Sequence, residues 1–254
     1  MSRVGEIRYN NFGSKMKIIQ YYKRNNIDVY FEEYDCIVTH RQYTDFVRGT
    51  IQCPYEPRLY NVGYMGEGIY KTKENGKHTK CYNTWHNMIK RCYDKKYQQQ
   101  HTTYQGCTVC EEWHNFQNFA QWYEENYYEI TNEEMCLDKD ILCKGNKNYT
   151  PLYCIFVPQN INKLFTKSNK KRGQYPIGVY YNKQINKFRS QCNNPFTNKK
   201  EVLGTFSTSD EAFQSYKIFK ENIIKQMATQ YYSKDLIPFK LYQAMCKYNI
   251  EIID

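Results

Sequence analysis

Leu137-Asp138-Lys139-Asp140-Ile141-Leu142, then Gly145-Asn146-Lys147-Asn148, then Phe156-Val157-Pro158-Gln159-Asn160-Ile161-Asn162: the reading of this stretch decides the fold of the middle of the chain. An apolar run ending in charge, a glycine-asparagine loop and a second apolar run leading into Pro-Gln-Asn read as a hairpin followed by a helix. Such a hairpin is expected to bring Asp138, Lys139 and the asparagines together. Asp138 and Asp140 offer carboxylates to a divalent cation, and the asparagines offer polar anchors. Lys139, between the two carboxylates, is expected to stay charged.

Working outward, the helices ahead of this hairpin are plain in the pattern. Trp85, Met88, Ile89 and Cys92 fall at i, i+3, i+4 and i+7, one helical stripe. Phe116, Phe119, Ala120 and Tyr123 repeat it within a helix expected over Glu111 to Tyr127, which also carries Trp113 and Trp122. An aromatic stripe at helical spacing is read as core. Before them, Ile27-Asp28-Val29-Tyr30-Phe31 reads as a strand, and Asp45-Phe46-Val47-Arg48-Gly49-Thr50-Ile51 as a turn and a further strand. After the hairpin come three short strands, at Ile177–Tyr181, Lys187–Gln191 and Glu201–Phe206. Ser207-Thr208-Ser209-Asp210-Glu211 then starts a helix whose stripe is Ala212, Tyr216, Phe219 and Ile223. The fold class expected is α+β and modular. It comprises a small β-rich module (1–58), a helix-plus-hairpin region (59–166), a basic linker (167–174) and a three-strand-plus-helix domain (175–254).

Composition narrows the function. Lys and Arg total 36 against 26 Asp and Glu, a net charge of +10. That balance favours a polyanionic partner. No apolar run of bilayer length occurs, and the N-terminus lacks the apolar core of a signal peptide, so no membrane partner and a cytoplasmic location are expected. From Glu111 to Asp140 there are nine acidic residues and one basic; from Lys139 to Lys200 there are 13 basic and one acidic. Such a contrast suggests one face for phosphate and another for solvent. The 27 tyrosines suit base stacking, although an AT-rich genome explains much of that count. The 11 cysteines are odd in number and irregularly spaced, which fits reduced core thiols. Cys107-Thr108-Val109-Cys110 has the spacing of half a zinc site, with Cys136, Cys143 and Cys154 available for the rest; core thiols are the default and zinc is not favoured.

The last three strands and helix follow the order Gly178-Val179-x-Tyr181, Lys187-Phe188-Arg189, Leu203-Gly204-x-Phe206, Glu211-Ala212. This resembles the ethylene-response-factor-type DNA-binding domain, found also on homing endonucleases. The resemblance implies a sheet that enters the major groove of double-stranded DNA, here with Tyr180, Lys183, Lys187, Arg189 and Gln191 on its open face. Lys170, Lys171 and Arg172 of the basic linker would add phosphate contacts.

The middle region resembles the HNH nuclease family in its phage homing-endonuclease form, and more broadly phage proteins labelled HNH endonucleases. The resemblance implies a ββα centre with Mg2+ or Mn2+ as cofactor. On it Asp138 matches the acidic metal ligand and Lys139 falls at the general-base histidine. Asn146 or Asn148 matches the loop asparagine, and Asn160 or Asn162 the closing position. A protonated lysine repels a metal ion and is a poor base, so weak or absent cleavage is expected. His86, His101 and His114 are the substitutes within the same region. The leading expectation is a DNA-binding protein of the homing-endonuclease type. The alternatives are a non-catalytic DNA binder and a phage protein that inhibits a host enzyme in the host cytoplasm.

Overall fold

The computed structural model describes residues 3–166 and 174–252. The fold is α+β, with several small sheets and interspersed helices. The chain forms two compact units. One runs to Tyr127 and takes back Lys147–Leu152; the other holds Tyr128–Asn146 and everything from Tyr153 onward. The four segments expected from sequence are a finer division and cut the chain elsewhere. Of the linker expected at 167–174, all but Gln174 lies outside the described residues.

The N-terminal unit begins with a four-stranded antiparallel meander in sequential order, β1 (Ile7–Tyr9), β2 (Lys15–Lys23), β3 (Asn26–Phe31) and β4 (Cys36–Arg41). Alternation puts Met16, Ile18, Ile27, Val29, Phe31 and Val38 into a core closed by Phe46, Ile51 and Cys53. The turn and strand expected over 45–51 are corrected here: α1 (Tyr43–Arg48) occupies most of that segment. Asp45 stands in its first turn and Arg48 in its last, both favoured by the helix dipole. Gly49, at φ 70°, ends it by donating to the carbonyls of Asp45 and Phe46.

Next come a hairpin of β5 (Lys73–Glu74) and β6 (Lys77–His78), then α2 (Lys80–Tyr93), α3 (Lys95–Gln100) and β7 (Thr108–Val109). Thr79 caps α2 by accepting from the Tyr82 N–H, and the helix buries Trp85, Met88, Ile89 and Cys92 as the spacing requires. The second helix is shorter than expected. α4 spans Phe116–Asn126, because Asn115 is extended and its side chain caps Gln117. Trp113 therefore sits in a separate 3-10 turn, where its carbonyl accepts from Trp85 Nε1 at 2.7 Å. Both indoles are fully buried, as the core reading of the stripe requires.

In the C-terminal unit, β8 (Met135–Asp138) pairs antiparallel with β10 (Ile155–Pro158), and α5 (Gln159–Phe165) follows directly. The intervening strand β9 (Asn148–Tyr149) belongs to the N-terminal unit, where it lies parallel to β7. Strands β11 (Val179–Asn182), β12 (Lys187–Asn194) and β13 (Lys199–Phe206) form a sequential antiparallel sheet. The helix that starts next is α6 (Ser209–Tyr232), opened by a capping box of Thr208 and Glu211. A last helix, α7 (Phe239–Lys247), packs on α6. One core joins Ile141, Ile155, Val157, Ile161 and Leu164 of the hairpin-and-helix part to Cys192, Phe213, Ile224, Met227, Leu241 and Met245. The ββα part and the three-strand-plus-helix part thus fold as one body.

Gly178 tests this packing. Its φ of 78° lies in the left-handed region, and a β-carbon there would collide with the Tyr216 ring of α6. Gly178→Ala is expected to cost about 2–4 kcal/mol, combining backbone strain with overpacking. Gly76, at φ 76° with open space around it, is the control: Gly76→Ala keeps only the backbone cost of about 1–2 kcal/mol. Urea denaturation of the two variants reads the difference.

Candidate nucleic-acid interface and the Asp138 centre

The loop after β8 is held by its own polar groups. Asp138 Oδ1 accepts from the backbone N–H groups of Asp140 (2.9 Å) and Ile141 (2.7 Å), which turns the chain and drops Ile141 into the core. Lys139 and Asn146 then clasp each other. Lys139 Nζ donates to the Asn146 carbonyl at 2.8 Å, and Asn146 Nδ2 donates to the Lys139 carbonyl at 2.7 Å. The ammonium also meets Asp140 Oδ2 at 3.2 Å. Lys139 is 9% exposed, so its charge is neutralised inside the loop rather than offered to a ligand. Burial, and after it the neighbouring Asp140 charge, push the Asp138 carboxyl up to about 6 against the pull of the two N–H groups and of Lys139.

The other asparagines expected at this centre have partners of their own. Asn148 Oδ1 accepts from Thr108 in the N-terminal unit. Asn160 Nδ2 donates to Glu133 at 3.2 Å, and Glu133 also accepts from Tyr231. The β8–β10 register explains the distance from Asp138. Ile155 faces Asp138 and Pro158 faces Met135, so Asn160 emerges at the opposite end of the ladder. Of the expected residues, the structure brings together Asp138, Lys139, Asp140 and Asn146, and the ladder carries Asn160 away from them. The three histidines belong to the N-terminal unit. His86 packs among Tyr60 and Tyr82, and burial lowers its pKa. His101 stacks on Tyr97 at 4.2 Å, and His114 Nε2 bonds the Val109 carbonyl.

The donors present do not fit a divalent-metal site. Asp138 Oδ1 is engaged by the turn, and Asp140 is matched to an ammonium. Among the described residues no three His, Cys, Asp or Glu side chains are grouped to hold a metal ion. Cys107 is buried and its thiol faces the Thr103 carbonyl, and burial raises the Cys110 thiol. All 11 cysteines are free thiols.

The C-terminal sheet has two unlike faces, fixed by register and alternation. Val179, Ser190 and Gly204 face one way with Tyr181, Phe188 and Phe206, and Cys192 with Glu201. This side carries the fully buried Ser190 and the core thiol Cys192, and α6 packs on the sheet. The other face presents Asn182 with Lys187; Tyr180 with Arg189 and Thr205; Gln191 with Val202; and Asn193 with Lys200. It carries three cations and no carboxylate. Lys187 and Lys200 are exposed, Arg189 and Tyr180 half-buried, and Lys183 is exposed in the connecting turn. Lys200 and the amides of Asn182 and Asn193 escaped sequence reasoning, because the strands extend further than the apolar pattern indicated. The other expected contacts, Lys170, Lys171 and Arg172, lie outside the described residues.

Comparison with protein-family models, with curated proteins and with solved structures finds no match.

Two predictions test the Asp138 turn. A carboxyl whose pKa is raised on folding contributes stability that is present below its unfolded value and lost as pH rises through the folded value. For Asp138 that window runs from about pH 4 to about pH 6. Asp138→Asn keeps an acceptor oxygen and removes the charge. It is expected to raise stability at neutral pH by about 1–3 kcal/mol and to flatten the pH dependence across that window, read by denaturation at a series of pH values. Lys139→His is too short to reach the Asn146 carbonyl and is expected to lower stability by about 1–3 kcal/mol. The same denaturation assay checks it.

Proposed function

We propose that this protein binds double-stranded DNA through the open face of β11–β13, and that its ββα centre is a scaffold rather than a phosphodiesterase. The observation that carries the reading is the sheet face on which Lys187, Arg189 and Lys200 stand with Tyr180 and four amide or hydroxyl side chains, and no acid. A sheet of this kind fits the major groove, where arginine and lysine pair with guanine edges and amides with adenine. Neither Lys187 nor Arg189 makes an ion pair among the described residues, so neither must be freed to bind. The net charge of +10 adds sequence-independent attraction. No described helix is long and apolar enough to cross a membrane.

The scaffold half of the proposal is supported by the internal use of Asp138, Lys139 and Asn146, and by the position of Asn160. The order strand, loop, strand, helix is that of the nuclease family named above, but its polar groups are spent on holding the loop.

Replacing Arg189 with Ala is expected to weaken binding by about 1–3 kcal/mol if it reads a base, and to relax preference at one position of the site. Changing Lys183, Lys187 and Arg189 together is expected to weaken binding further, measured by fluorescence anisotropy with duplex DNA. Unchanged affinity in the triple variant sinks the sheet assignment. Plasmid DNA incubated with the protein and magnesium or manganese is expected to stay supercoiled. Nicking that chelator stops and Asp138→Ala abolishes would overturn the scaffold assignment.

A further inference from the structure

The β5–β6 hairpin of the N-terminal unit has no packing purpose that its sequence reveals. Lys71, Lys73, Glu74, Asn75, Gly76, Lys77 and His78 are all exposed. A two-stranded ribbon is marginal on its own, and this one is secured at its base. The Thr79 N–H donates to the Thr72 carbonyl at 3.1 Å, and His78 Nδ1 lies 3.2 Å from that same carbonyl. His78 also stacks on Tyr82 at 4.6 Å with the rings 20° apart. The tip is an Asn75-Gly76 turn with φ of 49° and 76°, the two-residue geometry that matches strand twist. Nothing lies within 4 Å of a β-carbon built on Gly76, so the tip stands in open space. The base is fixed and the tip is free, an arrangement that presents side chains rather than buries them.

What it presents is positive charge. Lys71, Lys73 and Lys77 make no ion pair among the described residues, and the one acid, Glu74, sits opposite Lys77 in the register. The ribbon runs straight into α2, whose N-terminal end adds its partial positive charge.

We infer that the Lys73–His78 ribbon is a second duplex-DNA contact, engaging phosphates through Lys71, Lys73 and Lys77. The inference rests on the DNA reading above and adds to it a contact on the other compact unit, independent of the sheet. A two-stranded ribbon has the width that the major groove of duplex DNA admits. A bilayer surface fits less well, because the tip residues Glu74, Asn75, Gly76 and Lys77 include no apolar side chain to insert.

The test uses the full-length protein in three forms: a ribbon variant (Lys71→Ala, Lys73→Ala, Lys77→Ala), a sheet variant (Lys183→Ala, Lys187→Ala, Arg189→Ala) and an arginine version of the ribbon triple. Binding to two unrelated duplexes is measured across a salt series. The ribbon variant is expected to weaken binding equally on both duplexes and to reduce the log affinity–log salt slope by about 2–3, close to one for each phosphate that the ribbon no longer neutralises. The arginine version should restore the slope. A ribbon variant with the unmodified slope and affinity overturns the inference. If at the same time the sheet variant binds weakly, the sheet reading survives alone. If the ribbon variant weakens binding and the sheet variant does not, the ribbon stands and the sheet assignment fails. Failure of the unmodified protein to bind either duplex overturns both. So, for the ribbon, does retention on phosphatidylserine vesicles that is lost in the ribbon variant while DNA affinity stays unchanged.

Discussion

The C-terminal unit depends on the two-sided burial of α6. Its buried positions are not one stripe but two adjacent ones: Ala212, Tyr216, Ile223, Met227 and Tyr231 on the first, Phe213, Ile224 and Ala228 on the second. A helix with so broad an apolar face can serve two partners at once. It packs against β11–β13 and against α7, and its core extends to Val157 and Ile161 of the ββα part. At about 1.5–3 kcal/mol per large buried side chain, this shared core outweighs any single polar contact in the unit. It also fixes which sheet face is open, because once α6 has taken the side of Ser190 and Cys192, Lys187 and Arg189 have only the other. The candidate DNA face is therefore a by-product of where the apolar residues of α6 must go.

Charge is handled in opposite ways in the loops and on the sheet. Several cations of the loops and of α2 are closed onto partners. Lys139 meets the Asn146 carbonyl and Asp140; Lys144 reaches Glu251 and the Asn249 carbonyl; Arg91 lies 5.4 Å over the Tyr104 ring. Desolvating an unpartnered charge costs several kcal/mol, so for the buried Lys139 such partners are a requirement of burial. The basic run that begins at Lys139 is thus split. Its first members, Lys139, Lys144 and Lys147, close loops, and the later Lys187 and Lys200 on the sheet make no ion pair among the described residues. Sequence alone could not separate the two groups, because the acceptors of Lys139 and Lys144 are brought up by the closure of the loop after β8 and by the segment that follows α7.

Periodic elements were legible and register-dependent ones were not. The stripes of α2 and α4 and the capping box of α6 followed from residue spacing and side-chain chemistry, both local properties. The segment 45–51 was not legible as helix, because its helical state depends on Gly49 donating back and on Phe46 reaching a core made by distant strands. Nor was α7, which gains its place by packing on α6. The candidate site divides the same way. Alternation along Lys187-Phe188-Arg189 was enough to put both cations on one face. The convergence of Asp138 with Asn148 and Asn160 depended on where a loop and a helix start would be carried, and the pairing of Met135 with Pro158 carries Asn160 away. The Lys73–His78 ribbon was missed although Asn75-Gly76 is a strong hairpin signal, since two-residue strands leave too little alternation to read.

The Asp138 loop shows how groups that hydrolytic chemistry would need can be committed to holding a turn. A catalytic carboxylate needs its lone pairs for a metal, and a base needs access to water and a pKa near the working pH. Here the same groups are the hardware of the turn. Asp138 gives an oxygen to two N–H groups, and Lys139 gives its ammonium to a carbonyl seven residues away. Freeing either for chemistry would leave buried donors or acceptors unpaired, at about 1–3 kcal/mol for each group. A lysine at this place is therefore consistent with selection for loop closure. Its long stem spans the loop, and Asp140 offsets its charge. The histidine that hydrolysis would want is shorter, and it would leave the Asn146 carbonyl without its donor. Structure and catalysis compete for one residue, and in this chain the geometry around Lys139 serves structure.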